Sequence, residues 1–299
     1  MSDIIPSGLI LIDKPEGVTS FDVVADIKRL FGTKQVGHTG TLDPLATGLL
    51  CILTGPAVKA SDYLLSESKT YLAGMKLGLV TDTEDITGKV ISTSDDIPEK
   101  EKVIETALSF VGEYMQTPPM YSALKVKGKK LYEYAREGVE IEREARKVEI
   151  FDMDISGNGA DYTMKVSCSK GTYIRTLCSD IGKKLGCGAV MSSLRRTKCG
   201  NHSLDNAHTI NELKEMSYEE RVSLLISPNR IFDYLPKVHL DGFYEKLCLN
   251  GCEIYLKKIG KNFECGENVS VYGENRYLGV GRVCEYPDGA AIKLVTRLV

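Results

Sequence analysis

The chain has no surplus of positive charge: its formal net charge is −3 at pH 7 and its isoelectric point lies near 5.9. That excludes a protein coated in cations, so any nucleic-acid surface must be a local patch. No stretch reaches the ~18 uncharged apolar residues that a membrane-spanning helix needs. The opening Met1-Ser2-Asp3-Ile4-Ile5-Pro6 has no basic leader, and Asp13 and Lys14 soon cut its apolar run, so no signal peptide is expected. Nine cysteines are scattered without a single CxxC pair, which fits a reducing cytoplasm better than a disulfide framework. Cys248, Cys252, Cys265 and Cys284, with His239 upstream, miss the usual zinc spacings, so they read as small strand residues and no metal is expected. No P-loop, dinucleotide fingerprint or HExxH is present, and no second carboxylate sits in a motif of its own. No cofactor is expected.

What is there fills one large domain, or a large and a small one, at 299 residues. Residues 8–12 read as a buried strand ended by the turn Asp13-Lys14-Pro15-Glu16-Gly17. Thr19 or Ser20 then caps a helix to about Phe31, with Phe21, Val24, Ile27 and Leu30 near helical spacing and Gly32 as its stop. Residues 48–54 form a second buried run and 56–65 a second helix. From Lys69 the period becomes two, with Tyr71, Ala73, Met75 and Leu77 on one strand face. Residues 81–88 read as a hairpin loop, since the glycine is misplaced for a calcium site. Residues 95–112 read as an acidic-fronted helix.

Two basic stretches follow in this net-negative chain. One carries Lys125, Lys127, Lys129, Lys130, Arg136, Arg143, Arg146 and Lys147; the other carries Lys183, Lys184, Arg195, Arg196 and Lys198. On charge alone, a solvated charged helix and an RNA surface are equally good accounts of the first. A strand runs into Ser169 to Thr176, and a helix to about Leu185 follows, ended by Gly186; Thr209 and Glu212 have capping-box spacing. Beyond Leu235-Pro236 the chain turns to short β-like runs with many glycines, giving domains at 1–234 and 235–299.

The most unusual stretch is Val36-Gly37-His38-Thr39-Gly40-Thr41-Leu42-Asp43-Pro44-Leu45-Ala46-Thr47-Gly48. Its glycines allow positive φ and close approach, and Pro44 biases Asp43 toward extended backbone. Such a loop presents one carboxylate, which could be a nucleophile, a general base, a metal ligand or a turn cap. A nucleophilic carboxylate has to stay ionised, which a guanidinium favours. Arg175, at a strand-to-helix boundary after Gly171, is the arginine best placed to supply one.

Residues 37–48 resemble the catalytic loop of the TruB family of pseudouridine synthases. Asp13-Lys14-Pro15, Lys69 to Tyr71, Thr81-Asp82-Thr83 with Asp85, Pro119 to Lys125, Lys129 to Arg136, Gly171 to Arg175 and Leu194-Arg195-Arg196 continue the resemblance in order, and the tail resembles a PUA-type RNA-binding domain. The resemblance implies an α+β pseudouridine synthase fold, with a central mixed, mostly antiparallel sheet flanked by helices and a small β-rich PUA-like domain. It implies an isomerase, without cofactor, acting on the T-loop uridine of tRNA known as position 55. Asp43 would attack the target nucleotide, Tyr71 would stack on its base, and Arg175 would pair with Asp43. Tyr173 and Leu194 would line the pocket, and His38 would fill space around flipped nucleotides. Lys125, Lys129, Lys130, Arg136, Arg195 and Arg196 would grip phosphates. The expected partner is the tRNA T stem-loop, with no membrane and no obligatory protein partner, in the cytoplasm. The alternative is a protein that binds or folds the T arm with little or no catalysis.

Overall fold

The computed structural model describes residues 6–65 and 67–298; Met1 to Ile5, read above for a leader, lie outside the described residues. Strand β1 (Gly8–Lys14) leads through α1 (Ser20–Phe31) to β2 (Val36–His38) and β3 (Thr47–Thr54). A 3₁₀ turn at Gly55–Ala60 and α2 (Ser61–Leu65) precede β4 (Lys69–Leu77) and a hairpin of β5 (Leu79–Thr81) and β6 (Val90–Thr93). Next come α3 (Lys100–Leu108), β7 (Gly112–Gln116), the small hairpin β8 (Lys125–Val126) and β9 (Lys129–Lys130), and α4 (Leu131–Arg136). The long pair β10 (Arg146–Asn158) and β11 (Asp161–Cys168), then α5 (Ile174–Leu185), β12 (Ala189–Cys199) and β13 (His202–Ser203) complete the first unit. The main sheet runs β1-β3-β12-β4-β11-β10-β7, with β2 on β3 and β13 on β12. Its pairs are antiparallel except β12 with β3, so the fold is α+β around a mixed sheet.

Strands β1 and β3 read as unbroken apolar runs because both their faces are covered. Ile10, Ile12, Leu50 and Ile52 enter the core under α1 and α5, whereas Leu9, Leu11, Leu49 and Leu53 enter a second core shared with Phe232, Val280 and Leu298. Beyond the short helices of residues 210–231 lies a second sheet, built from β14 (Lys237–His239), β15 (Ile254–Tyr255), β16 (Asn268–Tyr272), β17 (Tyr277–Tyr286) and β18 (Gly289–Arg297) in the order β14-β16-β17-β18-β15. It has its own core of Val238, Val269, Val271, Leu278 and Ile292.

Helix α1 forms where the capping signals put it: Thr19 and Asp22 make a reciprocal capping box, and Gly32 ends the helix at φ 62°. Its buried face differs from the spacing argument. Val23, Val24, Ile27 and Phe31 point inward, while Phe21 is 65% exposed. Helix α3 begins at Lys100 rather than 95, because Pro98 disfavours helical backbone at Ile97. The basic segment after Tyr121 holds no long helix. Lys127 (φ 51°) and Gly128 (φ 84°) both take positive φ, which turns β8 back on β9.

Gly48 shows how closely the sheet packs behind the loop. Its φ is +95°, and a Cβ there would collide with the backbone of Arg196 on β12. Gly48→Ala is therefore expected to cost at least about 1–3 kcal/mol in backbone strain alone, read as a lower urea midpoint at unchanged slope. An unchanged midpoint would mean that the close approach of β3 to β12 relaxes freely.

Candidate active site

Asp43 hangs from a loop that is fixed on both sides. On the Leu42 side, Ser20 at the start of α1 is 1% exposed; its Oγ donates to the Leu42 carbonyl (3.1 Å) and accepts from the Leu42 amide (2.9 Å). On the Pro44 side, the Pro44 carbonyl accepts from the Gly17 amide at 2.9 Å and from Lys14 Nζ at 3.4 Å. Lys14 is wholly buried and also donates to the Pro15 and Val18 carbonyls, both at 2.8 Å. Burial pushes its pKa down to about 8, opposed by the nearby Asp43 carboxylate. The Ala46 amide donates to the Asp43 carbonyl at 3.0 Å and closes the turn.

The carboxylate meets Arg175, whose Nε lies 2.9 Å from Asp43 Oδ2. Arg175 is 5% exposed and stands in the first turn of α5. Its Nη1 donates to the Thr83 carbonyl (3.0 Å) and its Nη2 to the Tyr121 carbonyl (2.8 Å). Asp85 approaches Nη1 at 3.9 Å, while its Oδ1 accepts from Thr83 Oγ1 and from Thr87. A guanidinium held by two carbonyls and two carboxylates cannot swing away from Asp43. Burial raises the Asp43 pKa above the ordinary carboxylate value; Arg175 and Lys14 oppose the rise and Asp85 adds to it. The result is a half-buried charge, its side chain 36% exposed, that faces one fixed cation and opens on a cleft of about 350 Å³ lined by Glu16, Gly17, Asp43, Pro44, Leu45, Asp85 and Thr87. A separate cavity of about 340 Å³, lined by Glu84, Asp180 and Lys183 among others, shares no lining residue with it.

The other expected residues divide into two groups. Tyr173, the N-cap of α5, has its amide and carbonyl both held by the buried Gln116 side chain, at 2.8 and 3.0 Å. Leu194 is 9% exposed and packs in the same core as Leu42 and Ala46. The His38 ring accepts from the Gly40 amide through Nδ1 at 3.3 Å, and burial pushes its pKa down. Tyr71 is 8% exposed, and burial raises its phenol to about 12, partly countered by the adjacent Arg196, so it is protonated at neutral pH. Lys125 and Arg136 are exposed; Lys129 and Lys130 are half-buried, and Lys129 pairs with Glu137.

Of the two arginines of β12, Arg195 stays partly exposed, whereas Arg196 differs from the expectation. Arg195 makes a two-pronged pair with Asp13 (2.7 and 3.2 Å), tying β12 to β1. Arg196 is 2% exposed, and its Nε and Nη2 donate to the carbonyls of Leu49 (2.6 Å) and Gly40 (3.1 Å). A residue that far inside cannot meet a phosphate at the surface; it holds the loop to the sheet instead. The second basic stretch is therefore not one patch, since Lys183 pairs with Asp180 and Lys184 lies over Phe110. Among the described residues no three His, Cys, Asp or Glu side chains converge as metal ligands, and no helix is long and apolar enough to cross a membrane.

Sequence reasoning did not select Ser20, Gln116 or Asp85 as site residues. Only the stretch Thr81-Asp82-Thr83 with Asp85 could have pointed to the last of them, as part of the ordered resemblance. If the field at Asp43 is as described, its carboxyl titrates by ¹³C NMR above the ordinary value of 3.8, and higher still in Arg175→Gln. Because protons then bind the folded state more tightly, this group's contribution to stability is complete below 3.8 and lost as pH rises through the shifted value. Titration at or below 3.8 would overturn the account.

Comparison with known proteins agrees over most of the chain. Residues 28–174 match the model of the TruB family pseudouridylate synthase N-terminal domain, and 175–231 that of the tRNA pseudouridylate synthase B C-terminal domain. The tRNA pseudouridine synthase B of Clostridium tetani is 42% identical over 278 residues, 92% of this chain and 95% of that protein. That of Alkaliphilus oremlandii is 45% identical over 280 residues, 93% of each. Among solved structures, a chain of a Cbf5-Nop10-Gar1 complex superposes with a TM-score of 0.72 at 26% identity, covering 99% of this chain and 86% of the other. One of an archaeal box H/ACA Nop10-Cbf5 complex gives 0.72 at 25%, covering 99% and 87%. With a glycine-framed aspartate fixed against a buried arginine and relatives matched nearly end to end, this chain belongs to the TruB family of pseudouridine synthases and is an isomerase.

Proposed function

We propose that the chain converts uridine to pseudouridine at the T-loop position known as 55 in tRNA, with Asp43 as the nucleophile on a flipped-out nucleotide. The observation that carries the reading is the 2.9 Å pair of Asp43 with a guanidinium that is itself locked in place. It keeps a half-buried carboxylate ionised and aimed, ready to attack with little reorganisation. The isomerisation balances within the nucleotide: the bond from uracil N1 to the ribose breaks, a bond from C5 forms, C5 loses a proton and N1 gains one. No redox partner or phosphate donor enters. Tyr71, neutral at physiological pH, offers a face for the base and a hydroxyl that can hand on a proton but not an anion that could compete with Asp43. His38 supports the nucleotides next to the target, and Tyr173 and Leu194 close the pocket around the base.

A uridine inside a folded loop has to leave its stack, which costs a few kcal/mol and has to be offset by contacts elsewhere. Lys125, Lys129, Lys130 and Arg136 fit that role from the segment after Tyr121, with Arg195 at the rim beside Asp13. The tail from residue 235, read as PUA-like, would extend the grip along the T stem. The enzyme works in the cytoplasm with tRNA as its partner and needs no obligatory protein subunit. A protein that only binds or folds the T arm would have no use for a locked Asp43–Arg175 pair, which favours the catalytic reading.

Asp43→Asn is expected to abolish pseudouridine formation on an unmodified tRNA transcript, at least 10³-fold down, as for loss of a covalent nucleophile, while the transcript still binds. Turnover by this variant would remove Asp43 as the nucleophile, and tight binding by the wild type without product would favour the binding protein. A salt series separates surface cations from internal ones. Lys130→Ala should reduce the slope of log K against log salt by about one unit or less, as expected for one phosphate contact. Arg196→Lys should leave that slope intact while lowering the melting temperature. A reduced slope for Arg196→Lys would put that side chain on RNA after all.

A further inference from the structure

Phe21 is a large apolar side chain with no place in the core of its own helix. It sits in the first turn of α1, whose inward face is Ser20, Val23, Val24, Ile27 and Phe31, and it remains 65% exposed. Its surroundings are not those of a stray surface residue. The His38 ring meets it edge-on with centroids 5.8 Å apart, and Lys130 Nζ stands 5.7 Å from its centroid. The pattern then repeats. The same Nζ lies 5.3 Å from the Tyr132 ring centroid, and the Arg136 guanidinium also lies 5.3 Å from that centroid. Ring, cation, ring and cation thus alternate from the start of α1 across to α4. Among the described residues neither Lys130 nor Arg136 appears in an ion pair with a carboxylate, whereas the neighbouring Lys129 does pair with Glu137.

Alternation of this kind has a natural complement in unpaired RNA. Each nucleotide presents a flat base that stacks on an aromatic face and a phosphate that seeks a cation. Flipping one uridine also leaves its neighbours without a stacking partner, so a π-face next to His38 is needed where Phe21 stands. We propose that Phe21 and Tyr132, spaced by Lys130 and Arg136, form a preassembled stacking surface for the unpaired loop nucleotides beside the target uridine. The proposal rests on the RNA substrate named above. It assigns Phe21 a contact with RNA that charge patterning could not have revealed.

Binding of an unmodified tRNA transcript over a salt series, with a product assay alongside, tests it on wild type, Phe21→Ala, Phe21→Trp and Lys130→Ala. Stacking predicts that Phe21→Ala weakens binding by roughly 5- to 100-fold. The salt slope should stay unchanged and the loss should fall on KM more than on kcat. Phe21→Trp should restore binding, while Lys130→Ala should lower the slope. Because Phe21 is exposed, the melting temperature of Phe21→Ala should match the wild type. Binding by Phe21→Ala within twofold of wild type would overturn the proposal, leaving the row as an internal strap between α1 and α4. So would a loss that Phe21→Trp fails to restore and that follows a drop in melting temperature. Failure of the wild type to make pseudouridine would sink the functional reading, and the effect of Phe21→Ala on binding would still decide the stacking surface.

Discussion

One buried guanidinium organises this site. Arg175 stands where three chain segments that are far apart in sequence come together: the loop of Asp43, the turn carrying Thr83 and Asp85, and the strand-to-hairpin connection at Tyr121. A buried cation without partners is costly, and breaking a buried pair by removing one member typically costs about 3–5 kcal/mol. Each of those segments is therefore held in place by the need to satisfy the same side chain. The arginine can be fixed so firmly because it leaves from the first turn of α5, itself pinned through Tyr173 by the Gln116 amide.

The pairing also sets a tension at Asp43. Enclosure favours the neutral acid, and the guanidinium favours the anion. A carboxylate in water would be fully ionised but blanketed by solvent; one buried alone would be protonated. Between those limits lies a half-buried anion, held against one guanidinium and only partly open to solvent. Lys14 adds to this field from the other side of Pro44, and Ser20 removes the backbone freedom that would let the loop relax away.

Much of this was legible in the sequence, and the reasons it was not all legible are physical. The cap at Thr19 or Ser20, which proves to be Thr19, the period-two strand of Tyr71 and the glycine stops at 32 and 186 are local signals, and all appear in place. Asp43 was visible because glycine and proline mark a shaped loop. What escaped depends on burial. Arg196 carries the same letter as a surface arginine, and only the close approach of β12 to Gly48 makes it internal. Ser20 resembled an ordinary cap residue until it met Leu42, 22 positions away. Phe21 fell at helical spacing with Val24 and Ile27, yet the helix turns it outward, because a period of 3.6 does not say which of two adjacent stripes meets the sheet. The basic run after Tyr121 could not disclose its hairpin, since the turn needs positive φ at Lys127, a residue that rarely adopts it, as well as at Gly128.

The two covered faces of β1 and β3 have a consequence for how such a chain can change over time. Leu9, Leu11, Leu49 and Leu53 lie in one core with Phe232, Val280 and Leu298, so the tail sheet forms part of the roof over the strands that carry the Asp43 loop. A lineage could not shed that tail by a single deletion. It would have to exchange several leucines for polar residues at alternate positions of two strands, while leaving Ile10, Ile12, Leu50 and Ile52 between them untouched. The period of two that makes a strand easy to read thus ties the inheritance of the tail to that of the first sheet.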